Sequence, residues 1–329
     1  MKWLKVSSLV LAMCSLVPAH AATKHTHHRR HHHHAPARVA TTDGDIVVHD
    51  LPVVNPALMP RFSSHSVLVV NARNGEPILE KNPDAEAPIA SISKLMTALV
   101  VLDEHPDMNE KIEITDEDVD NLRHSRSRLA VGTVLTRNHM LHLALIASEN
   151  RAAFALSRYY PGGRPAFVKA MNRKAAELGM KHTHFEDPTG LTSHNQSTAE
   201  DLAILVRAAA NNPTIHNITT TGRYDITRTA MVREHRSARH GRLIPVTRDV
   251  TFLNTNPLVR AGKWDIGVSK TGYINESGHC LVMQARIASK PVVIVLLDAS
   301  GKTGRIDDAL RIRQWLETHT LEPAKIASR

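Results

Sequence analysis

Three short groups of residues in this chain of 329 could do chemistry together. Ser91 and Lys94 stand three apart in Ala90-Ser-Ile-Ser-Lys-Leu-Met96, so on a helix they share a face and the amine can reach the hydroxyl. A serine hydroxyl is a weak nucleophile until a neighbouring base takes its proton, and a lysine is such a base only as the free amine. An ordinary lysine titrates near ~10.4, so burial and a nearby positive charge, that of Lys270, are expected to displace the proton. Ser-x-x-Lys is common enough to arise by chance, and its companions must decide. Ser148-Glu149-Asn150 adds a hydroxyl and an amide, and Lys270-Thr271-Gly272 adds a second amine. Standing alone, Ser148 and Asn150 would read as a helix cap and turn pair. All three groups in this order are a far rarer coincidence than any one. Lys302-Thr303-Gly304 repeats the third group, but its place between the last strand and the last helix predicts a turn. A phosphate loop at Gly301-Lys302-Thr303 would need a glycine at position 296, which is Leu.

The elements that must position these groups are readable from periodicity. From Ser64, SVLVVNARNGEPILEKN alternates strand residues around Asn74-Gly75, a two-residue hairpin signal. Pro88 precedes an apolar run from Ile92 to Leu102 that carries Ser91 and Lys94 at its start. Helical spacing runs from Thr136 to Ala147 and from Arg151 to Tyr159, which puts Ser148-Glu149-Asn150 at the junction of two helices. Further helices fit Ala166 to Leu178 and Ala199 to Ala210. Ile215 to Asn254 is polar and predicts loop or short strands. Asp265 to Tyr273, His279 to Ala288 and Pro291 to Asp298 read as three strands, with Lys270-Thr271-Gly272 near the end of the first, and Arg305 to Leu316 as an amphipathic helix. Strands at both ends and helices between them predict an α/β sandwich: one antiparallel sheet, helices on its faces and a helical lobe beside it. Periodicity alone does not separate this from other α+β folds. The expected folded domain spans 61–320, with a polar tail at 321–329.

The N-terminus reads as a signal peptide over residues 1–21, with Lys2 and Lys5 before an apolar run and a cut after Ala21; a lipoprotein cut before Cys14 is disfavoured by Met13. Cys280 is then the one cysteine left, so no internal disulfide is expected, and its strand position suggests a buried small hydrophobe. Residues 22–60 read as a flexible His-rich leader. Its histidines between His25 and His34 could bind a metal, but a solvated basic segment in loose contact with the cell wall is the preferred reading, and no cofactor is expected. The formal charge of +9 suits an anionic polymer. Nucleic acid is a poor partner, since export removes it and aromatic residues make up only 4% of the chain. No membrane-spanning run remains once the signal is removed.

From roughly Ser64 to Glu317 the chain resembles the low-molecular-mass penicillin-binding proteins of the D-alanyl-D-alanine peptidase family, most closely the penicillin-binding protein 7 type of endopeptidase. Glu186-Asp-Pro-Thr-Gly-Leu191 and Ser197-Thr-Ala-x-Asp-Leu202 resemble further family segments. The resemblance implies an exported, periplasmic enzyme acting on peptidoglycan peptides and acylated by β-lactams. It implies Ser91 as nucleophile, Lys94 as base and Ser148 as proton relay between Lys94, Lys270 and the leaving amine. Asn150 would bond Lys94 or the substrate peptide, and Lys270 and Thr271 would meet the substrate carboxylate. Gly272 would let the peptide lie along the strand edge, and the backbone N–H groups of Ser91 and Tyr273 would hold the oxyanion. Glu149 stands where relatives often have Gly or Asp, and is expected at the rim of the cleft. Rival readings are a carboxypeptidase, a β-lactamase, although no Glu-x-x-Leu-Asn occurs between Asn150 and Lys270, and a non-catalytic wall-binding or drug-sensing module. The residues after Lys270 are used by two strands, a helix and a tail, with no room for a second β-rich domain, which favours the endopeptidase over a tethered carboxypeptidase.

Overall fold

The structure, a computed structural model, describes residues 37–39, 46–49, 59–233 and 243–320. Its centre is a seven-stranded sheet: β1 (Ala37–Val39), β2 (Ile46–Val48), β3 (Ser64–Asn71), β4 (Pro77–Lys81), β11 (Asp265–Ile274), β12 (Gly278–Ile287) and β13 (Lys290–Ala299). The spatial order is β1-β2-β4-β3-β13-β12-β11, and every neighbouring pair is antiparallel. The sheet is therefore closed by β13 on β3, one strand from each end of the chain, as the terminal strands predict. β11, which carries Lys270-Thr271-Gly272, is left at an edge.

The near-continuous apolar runs of β3 and β13 follow from burial on both faces, since successive side chains in a strand point to opposite sides. Val67, Val69, Ile294 and Leu296 face one core with Ala309, Ile312, Trp315 and Leu316 of α8 (Gly304–Thr320). Leu68, Val70, Val293 and Val295 face the other, shared with the helical lobe. α8 is fastened to the start of β3 by Asp308, whose buried carboxylate accepts from the backbone N–H of Ser63 and Ser64 and from both hydroxyls.

The lobe contains α1 (Ser93–Asp103), α2 (Arg137–Ile146), α3 (Asn150–Arg158), α4 (Gly163–Leu178), α5 (Ala199–Ala210), α6 (Pro213–Thr219) and α7 (Pro257–Ala261). Between them lie short pairs, β5 (Ala87–Pro88) with β8 (Gln196–Ser197), and β6 (Lys111–Glu113) with β7 (Val134–Thr136). Among the described residues no helix is long and apolar enough to cross a membrane.

Two expectations change. The segment from Ile215 to Asn254 is not loop or short strands: after α6 it forms a hairpin of two eleven-residue strands, β9 (Arg223–Arg233) and β10 (Leu243–Leu253). Its base packs on the lobe, where Ile226 and Phe252 are buried while Asp225, Thr227, Asp249 and Thr251 face solvent, so few apolar residues mark it there. The leader is also shorter than expected. β2 pairs with β4 (Val47↔Glu80, Val48↔Leu79), and Ile46 and Val48 are buried, because their alternation gives an added strand an apolar face for the α8 side of the sheet. The signal segment, the His tract and the tail lie outside the described residues.

Candidate active site

Ser91 does not sit within the helix but on a 3-10 turn, Ala90–Ile92, that leads into α1. Ala90 is held at φ +46, a left-handed conformation that costs a non-glycine residue about 1–3 kcal/mol and persists only where the surroundings impose it. They do so here from two sides. An added Cβ on Gly190 would lie 1.7 Å from the Ala90 carbonyl oxygen, and one on Gly272 would lie 2.9 Å from the Ile89 oxygen and 3.2 Å from the Ser91 nitrogen. The turn is thus clamped between the 187–192 loop and the edge strand β11, and the glycines allow the close approach.

Lys94, one turn further on, is fully buried. Its Nζ lies 2.9 Å from Ser91 Oγ, 2.7 Å from Asn150 Oδ1 and 2.7 Å from the Thr189 carbonyl oxygen. Two of these partners can only accept. A neutral amine has two N–H groups and one lone pair, so with both hydrogens on Asn150 and Thr189 the lone pair is left for the Ser91 hydroxyl. Burial pulls Lys94 down from 10.5 to about 7, against Asp187, Glu149 and Asp120, whose charges favour the ammonium.

Lys270 is buried on the opposite wall and donates to Ser148 Oγ at 2.9 Å and to the Thr271 carbonyl at 2.8 Å. Burial first, then the positive charges of Lys94 and Arg305, draw it well below 10.5. The expectation that the Lys270 charge displaces the proton of Lys94 is therefore corrected. Burial lowers Lys94, which has carboxylates around it, while Lys270 is lowered by burial and by two neighbouring cations. Ser148 stands at the bend between α2 and α3 with φ +59, a second strained residue in the same place.

The three motifs thus converge as their order predicts. Thr271 turns its hydroxyl to Thr255 at 2.7 Å. Tyr273 is exposed at the cleft, its ring stacked on His279 at 4.2 Å. Glu149 departs from expectation: it is buried, not at the rim, and accepts from Ser127 Oγ at 2.6 Å and from the Arg128 N–H at 3.4 Å. The reversal comes from the bend, which turns Ser148 and Asn150 toward the lysines and the residue between them to the 125–128 loop. Lys302 is exposed in the turn before α8, where the sequence predicts the second Lys-Thr-Gly to lie.

Several participants are not legible in the sequence. Thr189 offers only its backbone carbonyl, which no residue type announces. The segment Glu186 to Leu191 resembles a family segment without revealing a task; its Asp187 carboxylate collects the N–H of Gly190 at 2.6 Å and of Thr192 at 2.8 Å, and the Thr189 hydroxyl at 2.8 Å, fixing the loop that holds Thr189. Asn195 ties that loop to α1, donating to Ser93 Oγ at 2.9 Å and to the Asp187 carbonyl at 2.8 Å. Arg305, at the start of α8, donates to the Gly272 carbonyl at 3.0 Å and places a cation behind β11.

Comparison with known proteins agrees with this geometry. The Peptidase_S11 family, described as D-alanyl-D-alanine carboxypeptidase, matches residues 54–301. The chain belongs to that family. A D-alanyl-D-alanine endopeptidase of Escherichia coli (strain K12) is 42% identical over 272 residues, covering 83% of each chain. A D-alanyl-D-alanine endopeptidase of Pseudomonas aeruginosa (strain PAO1) is 44% identical over 261 residues, or 79% of each. Among solved structures, the Streptomyces K15 DD-transpeptidase superposes with a TM-score of 0.67 at 27% identity, spanning 78% of this chain and 97% of that one. This S11 peptidase is accordingly a serine hydrolase of the DD-peptidase class with the penicillin-binding fold, as its three motifs predict.

Proposed function

We propose that this S11 peptidase is a periplasmic DD-endopeptidase that opens D-Ala cross-links in peptidoglycan through an acyl-enzyme on Ser91. The observation that carries the reading is the environment of Lys94, a buried amine with both hydrogens engaged and its lone pair toward Ser91 Oγ. Ser91 Oγ attacks the D-Ala carbonyl carbon as its proton passes to Lys94 Nζ. The negative oxygen forms between the backbone N–H groups of Ser91 and Tyr273, whose spacing is set by the contact of Gly272 with the turn. When the C–N bond breaks, the leaving nitrogen takes the proton that Lys94 gained from Ser91, by way of Ser148, which Lys270 holds in place, and Lys94 is again a free amine. Water then attacks the ester, with Lys94 again accepting the proton, and regenerates Ser91. Arg305 makes the wall beyond the scissile bond positive, and the carboxylate that ends or flanks D-Ala in such peptides would favour a recharged Lys270 beside it.

Two arms test the reading. A labelled penicillin should add its mass to the wild type and not to Ser91→Ala; labelling that survives the substitution would remove Ser91 from the mechanism. The endopeptidase assignment rests on the names of the relatives at 42% and 44% identity. The family description favours a second reading, a carboxypeptidase. Comparison of kcat/KM for a cross-linked muropeptide dimer and for a monomeric pentapeptide separates them, and faster release of free D-Ala from the pentapeptide would make this enzyme a carboxypeptidase.

A further inference from the structure

We propose that Asp120 and Ser125 are positioning residues for the chemistry at Ser91: together they hold the side-chain amide of Asn150 with its oxygen, rather than its nitrogen, toward Lys94. The inference rests on the reading of Lys94 as the base.

The two ends of an asparagine amide are nearly the same shape but opposite in hydrogen bonding. With Oδ1 facing Lys94, the amide takes one amine hydrogen and leaves the lone pair to Ser91. Reversed, its NH2 would donate into that lone pair and block the base. Nothing in the Ser-x-Asn motif itself chooses between the two. The choice is made by Ser125, whose Oγ accepts from Asn150 Nδ2 at 2.9 Å while Oδ1 receives Lys94 Nζ at 2.7 Å.

A hydroxyl can also donate, and donation from Ser125 would reverse the amide just as well. Its proton must therefore be engaged elsewhere, and the Asp120 carboxylate, which already holds the Ser125 backbone N–H, is the acceptor beside it. The Asp120 carboxylate accepts from the backbone N–H of Leu122 at 3.0 Å, Arg123 at 2.9 Å and Ser125 at 2.9 Å. Burial opposes its charge, but the Ser125 hydroxyl and these N–H groups outweigh burial and hold the carboxyl below its ordinary value, so it remains an acceptor. The arrangement then runs one way: Asp120 fixes Ser125 through its backbone N–H, Ser125 Oγ accepts from Asn150, and Asn150 accepts from Lys94. The far end of the same loop is held by Glu149 through Ser127 and Arg128, which gives the unusual middle residue of the motif its task.

The experiment measures the acylation rate by a fluorescent penicillin from pH 5 to pH 9 for the wild type, Ser125→Ala, Ser125→Thr, Asp120→Asn and Lys94→Ala, with melting temperature as a check on folding. Ser125→Ala is expected to lower the plateau rate by about 10- to 100-fold, and Ser125→Thr, which keeps the hydroxyl, to restore most of it. The charges facing Lys94 are Asp187, Glu149 and Asp120, with Lys270 across the cleft. Removing the Asp120 charge makes the ammonium less favourable, so the acid limb of the profile moves to lower pH in Asp120→Asn; a merely structural loss would lower the plateau and leave the limb in place. Wild-type rates in Ser125→Ala, equal loss in Ser125→Thr, or an unmoved limb in Asp120→Asn would overturn the inference. Lys94→Ala acylating at the wild-type rate would instead overturn the reading of Lys94 itself.

Discussion

Gly272 offers a test of whether the site depends on the close approach of β11 to the serine turn. A methyl group there would stand 2.9 Å from the Ile89 oxygen, 3.1 Å from Ala90 Cβ and 3.2 Å from the Ser91 nitrogen. Ordinary van der Waals contact begins a few tenths of an ångström further out, so Gly272→Ala must push the strand and the turn apart by about 0.5 Å. The turn cannot yield, because Gly190 supports Ala90 from behind, so the edge strand moves and carries the Tyr273 N–H with it. Overpacking of this kind costs about 1–3 kcal/mol of stability, and an oxyanion donor that must stand within ~2.7–3.1 Å of its target is displaced. Losing one such donor lowers turnover by about 100- to 1000-fold; a partial displacement should therefore lower acylation by about 10- to 100-fold. Stopped-flow acylation with a reporter β-lactam measures this, alongside thermal melting. Gly262→Ala is the control: its φ of +62 makes the substitution strained, but nothing lies within 4 Å of the added Cβ, so it should lose stability of about 1 kcal/mol and no activity. Acylation of Gly272→Ala within threefold of the wild type would refute the reasoning. Gly190→Ala, with an added Cβ 1.7 Å from a backbone oxygen, should not yield a folded enzyme at all.

With Lys94 at about 7, the acylation rate should fall about tenfold per pH unit below that value and level off above it, and a limb near 10 would mean that the amine is not buried in the working enzyme. Because its folded value lies below the unfolded one, the unfolded chain binds more protons between about pH 7 and 10.5. Stability should therefore rise across that window, and urea titrations of the wild type against Lys94→Met should show the difference narrowing with pH. Lys302→Ala should acylate within about threefold of the wild type, since an exposed turn residue contributes little, whereas Lys270→Ala should be severely impaired; equal damage would make the second Lys-Thr-Gly the working one. Cys280 is fully buried and its thiol is pushed up to about 11, so alkylation at neutral pH followed by peptide mapping should find it unmodified until the protein is denatured.

The reach of the sequence has a physical boundary. Strand and helix periodicities are short-range, and they are readable at Ser64, Ile92, Thr136, Asp265, His279 and Pro291 because each segment buries a regular face. The hairpin of β9 and β10 is not readable, since at its base Ile226 and Phe252 are buried among an outward face of Arg, Thr and Asp. The same boundary runs through the site. Ser91, Lys94, Ser148, Asn150 and Lys270 can be named from the sequence because their side chains carry the chemistry and their spacing is characteristic. The directions of their hydrogen bonds belong to the tertiary structure alone. Lys94 meets Asn150 across 56 positions and the Thr189 carbonyl across 95, and Lys270 meets Ser148 across 122. A backbone carbonyl has no letter of its own, and the orientation of an amide depends on the group behind it, here Ser125. The discharge of the two lysines likewise comes from burial, which exists only once the sheet edge and the helical lobe have closed on them.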